Sequence, residues 1–290
     1  MAPSDDLAIE TPLRTADLAD AQALVGEAGW NQIEADWCTF LDLGCVYAVR
    51  ESGGRVIATA ATLPHEGRFA WISMVLVSSE FRRRGLASRL MRRCIDDLTA
   101  GGLLPILDAT PAGRAVYGKL GFEDSWGYQR YRRAGTAAVS AAFVPGDLTI
   151  RPIDDAVWPA LCAYDARAFG ARREGLLARL RGRLAAADLV ALRGDAITGF
   201  LLGRDGRMAG HLGPLIAEDD AVAHALLEHA LTALPGPLII DLSDEKRATS
   251  ALLAQHGFAP VRPLTRMLLG TSRRFDDAQR TYAVAGPEFG

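Results

Sequence analysis

The chain's 290 residues exceed what one core of roughly 100 to 150 residues takes up, so two domains are expected. Its composition, 49% hydrophobic and 23% charged, is that of a globular protein and argues against long disordered tracts. Thirty-two Lys+Arg against 35 Asp+Glu leave a formal charge of −3, without the basic excess of a nucleic-acid binder or a membrane-surface protein, so small-molecule or protein partners are expected.

Four cysteines, Cys38, Cys45, Cys94 and Cys162, show neither C-x-x-C nor Cys/His ligand spacing, so reduced thiols and no metal are expected. No apolar run reaches the ~18 residues that cross a bilayer, and Ser4-Asp5-Asp6 is unlike the basic start of a signal peptide; a cytoplasmic location is the expectation. The sequence carries no signal for an oligomeric state.

In chain order, Cys45 to Arg50 and Val56 to Leu63 are β-rich runs joined by the hairpin chemistry of Glu51-Ser52-Gly53-Gly54. Phe69 to Val77 reads as a third, buried strand. Apolar residues at Leu86, Leu90, Met91, Cys94, Ile95 and Leu98 recur at helical spacing, so a helix starts near Ala87 and stops at Gly101-Gly102. Leu103 to Leu107 is a short strand, and Gly113 to Leu120 a short helix closed by Gly121. The small residues from Ala134 to Ala142, followed by Pro145-Gly146-Asp147, carry no periodic stripe and read as a linker over 136–146 between domains 1–135 and 147–290. Beyond it the chain restarts: Leu148-Thr149-Ile150-Arg151-Pro152 parallels Leu7-Ala8-Ile9-Glu10-Thr11-Pro12, and His256-Gly257-Phe258 parallels Leu120-Gly121-Phe122. Two copies of one α/β fold are expected, each burying its helices against a central sheet.

The chemistry is concentrated between Val77 and Ala87. A helix begins with unpaired N–H groups and the positive end of a dipole, so a turn of small residues there can hold a phosphate, and Arg82, Arg83 and Arg84 add charge at its mouth. Val77 through Ala87 resembles the V-x-P-x-x-[QR]-x-x-G-x-[GA] signature of the GNAT superfamily of acetyl-CoA-dependent acyltransferases, with Ser79 in place of the usual proline. A second family signature, Y-x-x-x-G-F, is matched by Tyr117 through Phe122. The resemblance implies an α+β mixed fold whose central sheet is mostly antiparallel. It also implies that the backbone of Val75, Leu76 and Val77 pairs with the pantetheine arm of acetyl-CoA. The turn of Arg82, Arg83, Arg84, Gly85, Leu86, Ala87 and Ser88 would then hold the pyrophosphate. Thr110 stands where the family often has a cofactor-contacting asparagine.

By the same resemblance Tyr117 is the proton donor to the thiolate that leaves when an amine attacks the thioester; the other reading is a ring packed on the sheet. Asp108 is a candidate general base or, equally, the cap of the turn that follows it. Trp30, Asn31 and Trp37 are candidates for an acceptor pocket, or helix core. Asp241, after the apolar run Leu238-Ile239-Ile240, either pairs with a cationic acceptor or caps a turn. The second copy has carboxylates, Glu218-Asp219-Asp220, where the first has arginines, and Leu253 where the first has Tyr117, so it is expected to be silent. It resembles the degenerate C-terminal module of tandem GNAT proteins through His211-Leu212-Gly213-Pro214-Leu215, Ile240-Asp241, Gly257-Phe258 and Thr265-Arg266-Met267. The function expected is acetyl transfer from acetyl-CoA to a primary amine of a small molecule, with a non-catalytic acyl-CoA sensor as the alternative.

Overall fold

The computed structural model describes residues 7–10, 12–135 and 146–290. Of the expected linker, 136–145 lies outside the described residues. Two compact units emerge, Met1–Ile106 and Leu107–Gly290.

The first unit contains β1 (Ile9–Glu10), α1 (Leu18–Ala28), α2 (Glu34–Leu43), β2 (Cys45–Arg50), β3 (Val56–His65), β4 (Phe69–Val77), α3 (Leu86–Ala100) and the start of β5 (Leu104–Ala109). Its sheet runs β1-β2-β3-β4-β5, antiparallel except for the parallel pair β4–β5. The β2–β3 hairpin closes through Glu51 and Arg55, with Gly54 at a φ of 87° that an L side chain resists. On α3 the stripe Leu86, Leu90, Met91, Cys94 and Leu98 is buried and packs on β3 and β4. The pairing of β3 with β4 slips by one residue opposite Ala60, where Met74 adopts a left-handed φ of 51°. Thr59 Oγ1 donates to the Met74 carbonyl at 2.9 Å and holds this β-bulge.

The second unit starts with the end of β5 and continues through α4 (Pro111–Gly118), β6 (Phe122–Arg133), β7 (Thr149–Pro152), α5 (Trp158–Phe169), α6 (Glu174–Leu180), β8 (Leu189–Arg193), β9 (Ala196–Arg204), β10 (Gly210–Ala217), α7 (Asp220–Ala233), β11 (Leu238–Ser243), α8 (Arg247–Gln255), β12 (Ala259–Leu269) and β13 (Thr281–Ala283). The run β7-α5-α6-β8-β9-β10-α7-β11-α8-β12 repeats, element for element, the run from β1 to β6. Its sheet is ordered β12-β6-β11-β13-β10-β9-β8-β7, and α7 buries Val222, Leu226, Leu227, Ala230 and Leu231 in a core with Leu253 and Phe258.

β6 closes the first sequence repeat yet sits between β11 and β12, antiparallel to both. This pairing is why the compact units divide at Ile106, upstream of the boundary that composition marks at 136–146. Two further expectations about strand ends change. Asp108 lies inside β5 and not after it, and Asp241 lies inside β11, which continues to Ser243.

Asp188, at the entry to β8, is buried, takes the Gly182 N–H at 2.5 Å on one oxygen and, among the described residues, has no hydrogen-bond partner of normal geometry on the other. Burial pushes its carboxyl up to about 6. That value lies above the ~3.9 of an unfolded chain, so ionised Asp188 costs stability at neutral pH and the cost vanishes as pH falls through about 6 towards about 4. In urea unfolding, wild type should gain roughly 2 kcal/mol relative to Asp188→Asn between about pH 7.5 and about pH 4.5; parallel curves would contradict the assignment.

Candidate functional site

β4 and β5 are hydrogen-bonded only from Phe69–Leu104 to Trp71–Ile106. Beyond Trp71, no strand among the described residues pairs with that edge of β4. The Ser78 N–H donates to the Ile57 carbonyl, which fixes the alternation with β3: Leu76 faces it, and Val77 turns its N–H and C=O away. An exposed edge of this kind is a template for an extended, amide-bearing ligand.

The edge continues into the helix start. Arg83 has a φ of 63°, and Gly85, the N-cap of α3, a φ of 79°. No side chain caps α3 and its first turn holds no acid, so the N–H groups of Leu86, Ala87 and Ser88 keep their donor capacity; the first intrahelical bond is Arg89 N–H to Gly85 O. Val75, Leu76, Val77, Arg82, Arg83, Gly85, Leu86, Ala87 and Ser88 line one cleft of about 410 Å³, joined by Trp30 and Phe81. The expected donor residues are thus brought together, with two exceptions. Arg84 folds back, its guanidinium 4.9 Å from the centre of the Phe81 ring, and Thr110, in the second unit, accepts the Gly113 N–H at 3.2 Å as the N-cap of α4. Ser79 replaces proline for a visible reason: its N–H donates to Glu27 Oε2 at 2.8 Å, which proline lacks the hydrogen to do. That bond, with Ser78, holds the Glu27 carboxyl below its ordinary range.

In the second unit the corresponding features are closed by the chain itself. β10 and β11 start as a parallel pair, Gly210–Leu238 to Leu212–Ile240, and where they part β13 inserts, pairing Ala283 with both Leu215 and Leu242. At the N-terminus of α7 the Asp219 side chain accepts the Val222 N–H at 2.9 Å, filling the position an anion would take. Leu253 is buried in the apolar core.

Tyr117 belongs to the second unit. Its ring packs edge-on to Phe122 and back over Gly113, where a Cβ would stand 2.9 Å from Tyr117 Cε2, so the glycine makes room for the ring. Burial pushes the phenol up, which keeps it protonated at neutral pH.

The two carboxylate candidates are already engaged. The Asp108 side chain is enclosed and takes Arg266 Nε at 2.9 Å and a second Arg266 nitrogen at 3.0 Å, with both side chains out of water. A carboxylate held by a bidentate guanidinium is a structural ion pair and makes a poor general base. Asp241, also wholly buried, accepts two bonds of 2.7 Å from Arg130 and lies 3.1 Å from His211 Nε2. Burial alone would raise its pKa, but Arg130 and His211 hold it far below the ordinary range. It neither caps a turn nor faces an open acceptor. Trp37, on α2, is completely enclosed and Asn31 is buried, whereas Trp30 lines the cleft at the α3 turn. Sequence reasoning singled out Arg266 only within Thr265-Arg266-Met267 and missed its pairing with Asp108 and that of Arg130 with Asp241, because partners 158 and 111 positions away leave no local signal. Burial pushes the Cys94 thiol up on the inner face of α3, so it is no nucleophile. Among the described residues no group of His, Cys, Asp and Glu is placed to hold a metal ion, and no helix is long and apolar enough to cross a membrane.

Residues 15–122 match the model of the acetyltransferase (GNAT) family, and residues 161–283 a second model described as an acetyltransferase (GNAT) domain. The chain is 24% identical to the N-acetyltransferase YitH of Bacillus subtilis, itself uncharacterized, over 81% of this chain and 82% of that protein. A second N-acetyltransferase named uncharacterized, SCO2625 of Streptomyces coelicolor, is 33% identical over 46% of this chain and 36% of that protein. Among solved structures, a proposed acetyltransferase from Pyrococcus horikoshii superposes with a TM-score of 0.80 at 19% identity, covering 99% of this chain and 96% of that one. A tandem GNAT protein from the clavulanic acid biosynthesis pathway superposes at 0.62 with 16% identity, covering 90% and 98%. These structural likenesses speak to the fold.

Asp108→Ala leaves Arg266 buried without its carboxylate and should cost about 3–5 kcal/mol, read as a lowered unfolding midpoint. Adding Arg266→Met should recover most of the loss. A variant that kept its stability but lost activity would return Asp108 to the list of bases.

Proposed function

Because the chain belongs to the GNAT acetyltransferase family, with two such domains in tandem, we propose that it transfers the acetyl group of acetyl-CoA to a primary amine of a small molecule. The observation that carries this reading is the cleft at the α3 turn, where an unpaired strand edge runs into an uncapped helix N-terminus. That combination suits a ligand with amides at one end and a pyrophosphate at the other.

In this reading Val77 offers its N–H and C=O to the amides of the pantetheine arm, and the N–H groups of Leu86, Ala87 and Ser88 receive the pyrophosphate. Arg82 and Arg83 supply charge at the rim. Arg82 Nε is 3.3 Å from the Val77 carbonyl, which ties the rim to the strand edge. The thioester supplies an activated acyl group, so no protein nucleophile is needed. Direct attack by the neutral amine forms the C–N bond and expels a thiolate; Tyr117, protonated at neutral pH, gives that thiolate its proton, and the proton shed by the nitrogen returns to the phenolate through solvent. The second repeat, with β13 and Asp219 in the equivalent places, holds no acetyl-CoA in this reading. A non-catalytic acyl-CoA sensor would share the cleft but not the turnover.

Release of free thiol from acetyl-CoA in the presence of a panel of primary amines tests the proposal. Tyr117→Phe should lower kcat by roughly a hundredfold or more while leaving the KM for acetyl-CoA nearly unchanged. Binding without thiol release would turn the reading into the sensor, and absence of binding would remove both.

A further inference from the structure

Helix α1 packs on β3 and β4 and is stapled to them by two of its carboxylates. Asp20 and Glu27 stand about two helical turns apart, so they lie on one face. Asp20 accepts the Val56 N–H at 2.8 Å, at the start of β3. Glu27 accepts the Ser79 N–H at 2.8 Å on one oxygen and the Ser78 hydroxyl at 3.2 Å on the other, just past the end of β4.

The two staples differ in what they hold. Ala28 and Trp30, which follow Glu27, line the same cleft as Arg82, Arg83 and Gly85, which follow Ser79. At the end of α1, Gly29 takes a φ of 67° and the Trp30 N–H donates to the Val25 carbonyl at 3.1 Å, so Trp30 is fixed to the last turn of the helix. Glu27 thus ties one lining segment of the cleft to another, both within the first unit. The segment it holds contains Arg83 at a φ of 63°, a conformation that a non-glycine residue keeps only when its surroundings impose it.

On charge alone Glu27 is badly placed. A carboxylate close to an anion site repels the ligand, and this one is ionised at neutral pH, because the Ser79 N–H first, and then the Ser78 hydroxyl and the Arg82 charge, outweigh burial. Its bonds to the turn and its repulsion of a phosphate therefore act on donor affinity with opposite signs.

We propose that Glu27 is the positioning residue of the donor turn: by clamping Ser78 and Ser79 it presets the segment that delivers the N–H groups of Leu86, Ala87 and Ser88 to the pyrophosphate. The inference rests on the acyl-CoA reading above for the ligand, and on the first unit alone for the geometry. A proline at position 79 would do the same work by fixing the backbone. Ser78 already has the ψ of 141° that a residue before proline adopts, and Ser79 opens a short 3-10 turn, where proline fits.

Calorimetric titration of the full chain with acetyl-CoA tests this through the pattern across four variants. Glu27→Ala should raise the Kd roughly three- to tenfold and leave kcat at saturating acetyl-CoA unchanged. Glu27→Gln, which keeps an acceptor oxygen and loses the repulsion, should bind at least as tightly as wild type. Adding Ser79→Pro to Glu27→Ala should restore the affinity. Asp20→Ala, the control staple, should lower the unfolding midpoint without moving the Kd. Tighter binding by Glu27→Ala would show a carboxylate that only repels, and a loss that Ser79→Pro does not restore would show an effect outside the turn; either overturns the inference. Wild type that binds acetyl-CoA while Glu27→Ala binds it equally well removes this inference alone, whereas wild type without affinity removes the acyl-CoA reading and this inference with it.

Discussion

Everything in the candidate site depends on the parting of two parallel strands. Backbone N–H and C=O groups are obligatory hydrogen-bonding groups, and where β4 leaves β5 after Trp71 one row of them has no strand to pair with. The bulge at Met74 redirects the strand at that point, and the edge then leads within a few residues to the open N–H groups of α3. The second unit contains the same parting between β10 and β11 and resolves it internally: β13 supplies the missing strand and Asp219 the missing anion. One repeat therefore satisfies itself and the other does not. That asymmetry is the strongest physical argument for which half holds the thioester.

A second constraint is that several buried carboxylates are paired with arginine. Asp108 with Arg266, Asp241 with Arg130, Asp165 with Arg173 and Glu288 with Arg204 are all nearly out of water. Such pairs offset, at best, the cost of desolvating both partners, and they are costly to break from one side. They fix β5, β6, β11 and β12 in register within the second unit, and they withdraw Asp108 and Asp241 from chemistry.

Much of this was legible in the residues. The strand Phe69 to Val77, the helix stripe from Leu86 to Leu98, the phosphate turn around Gly85 and the two-copy architecture follow from local pattern, because periodicity, glycine and capping act over a few positions. What local pattern does not encode is partnership across the chain. Nothing near Asp108 announces Arg266, so a carboxylate beside the donor motif reads as a base. Nothing near Phe122 announces that β6 pairs with β11 and β12. Trp37 shows the same limit: next to polar residues the aromatic reads as pocket wall or helix core, and packing encloses it as core.

Amide hydrogen exchange with and without acetyl-CoA tests the central claim most directly. The account predicts new protection of the backbone at Val75–Val77 and Leu86–Ser88, and none at Leu215–Ala217 or at the start of α7, which β13 and Asp219 already occupy. Protection confined to the second unit, or no change anywhere at saturating acetyl-CoA, would contradict it.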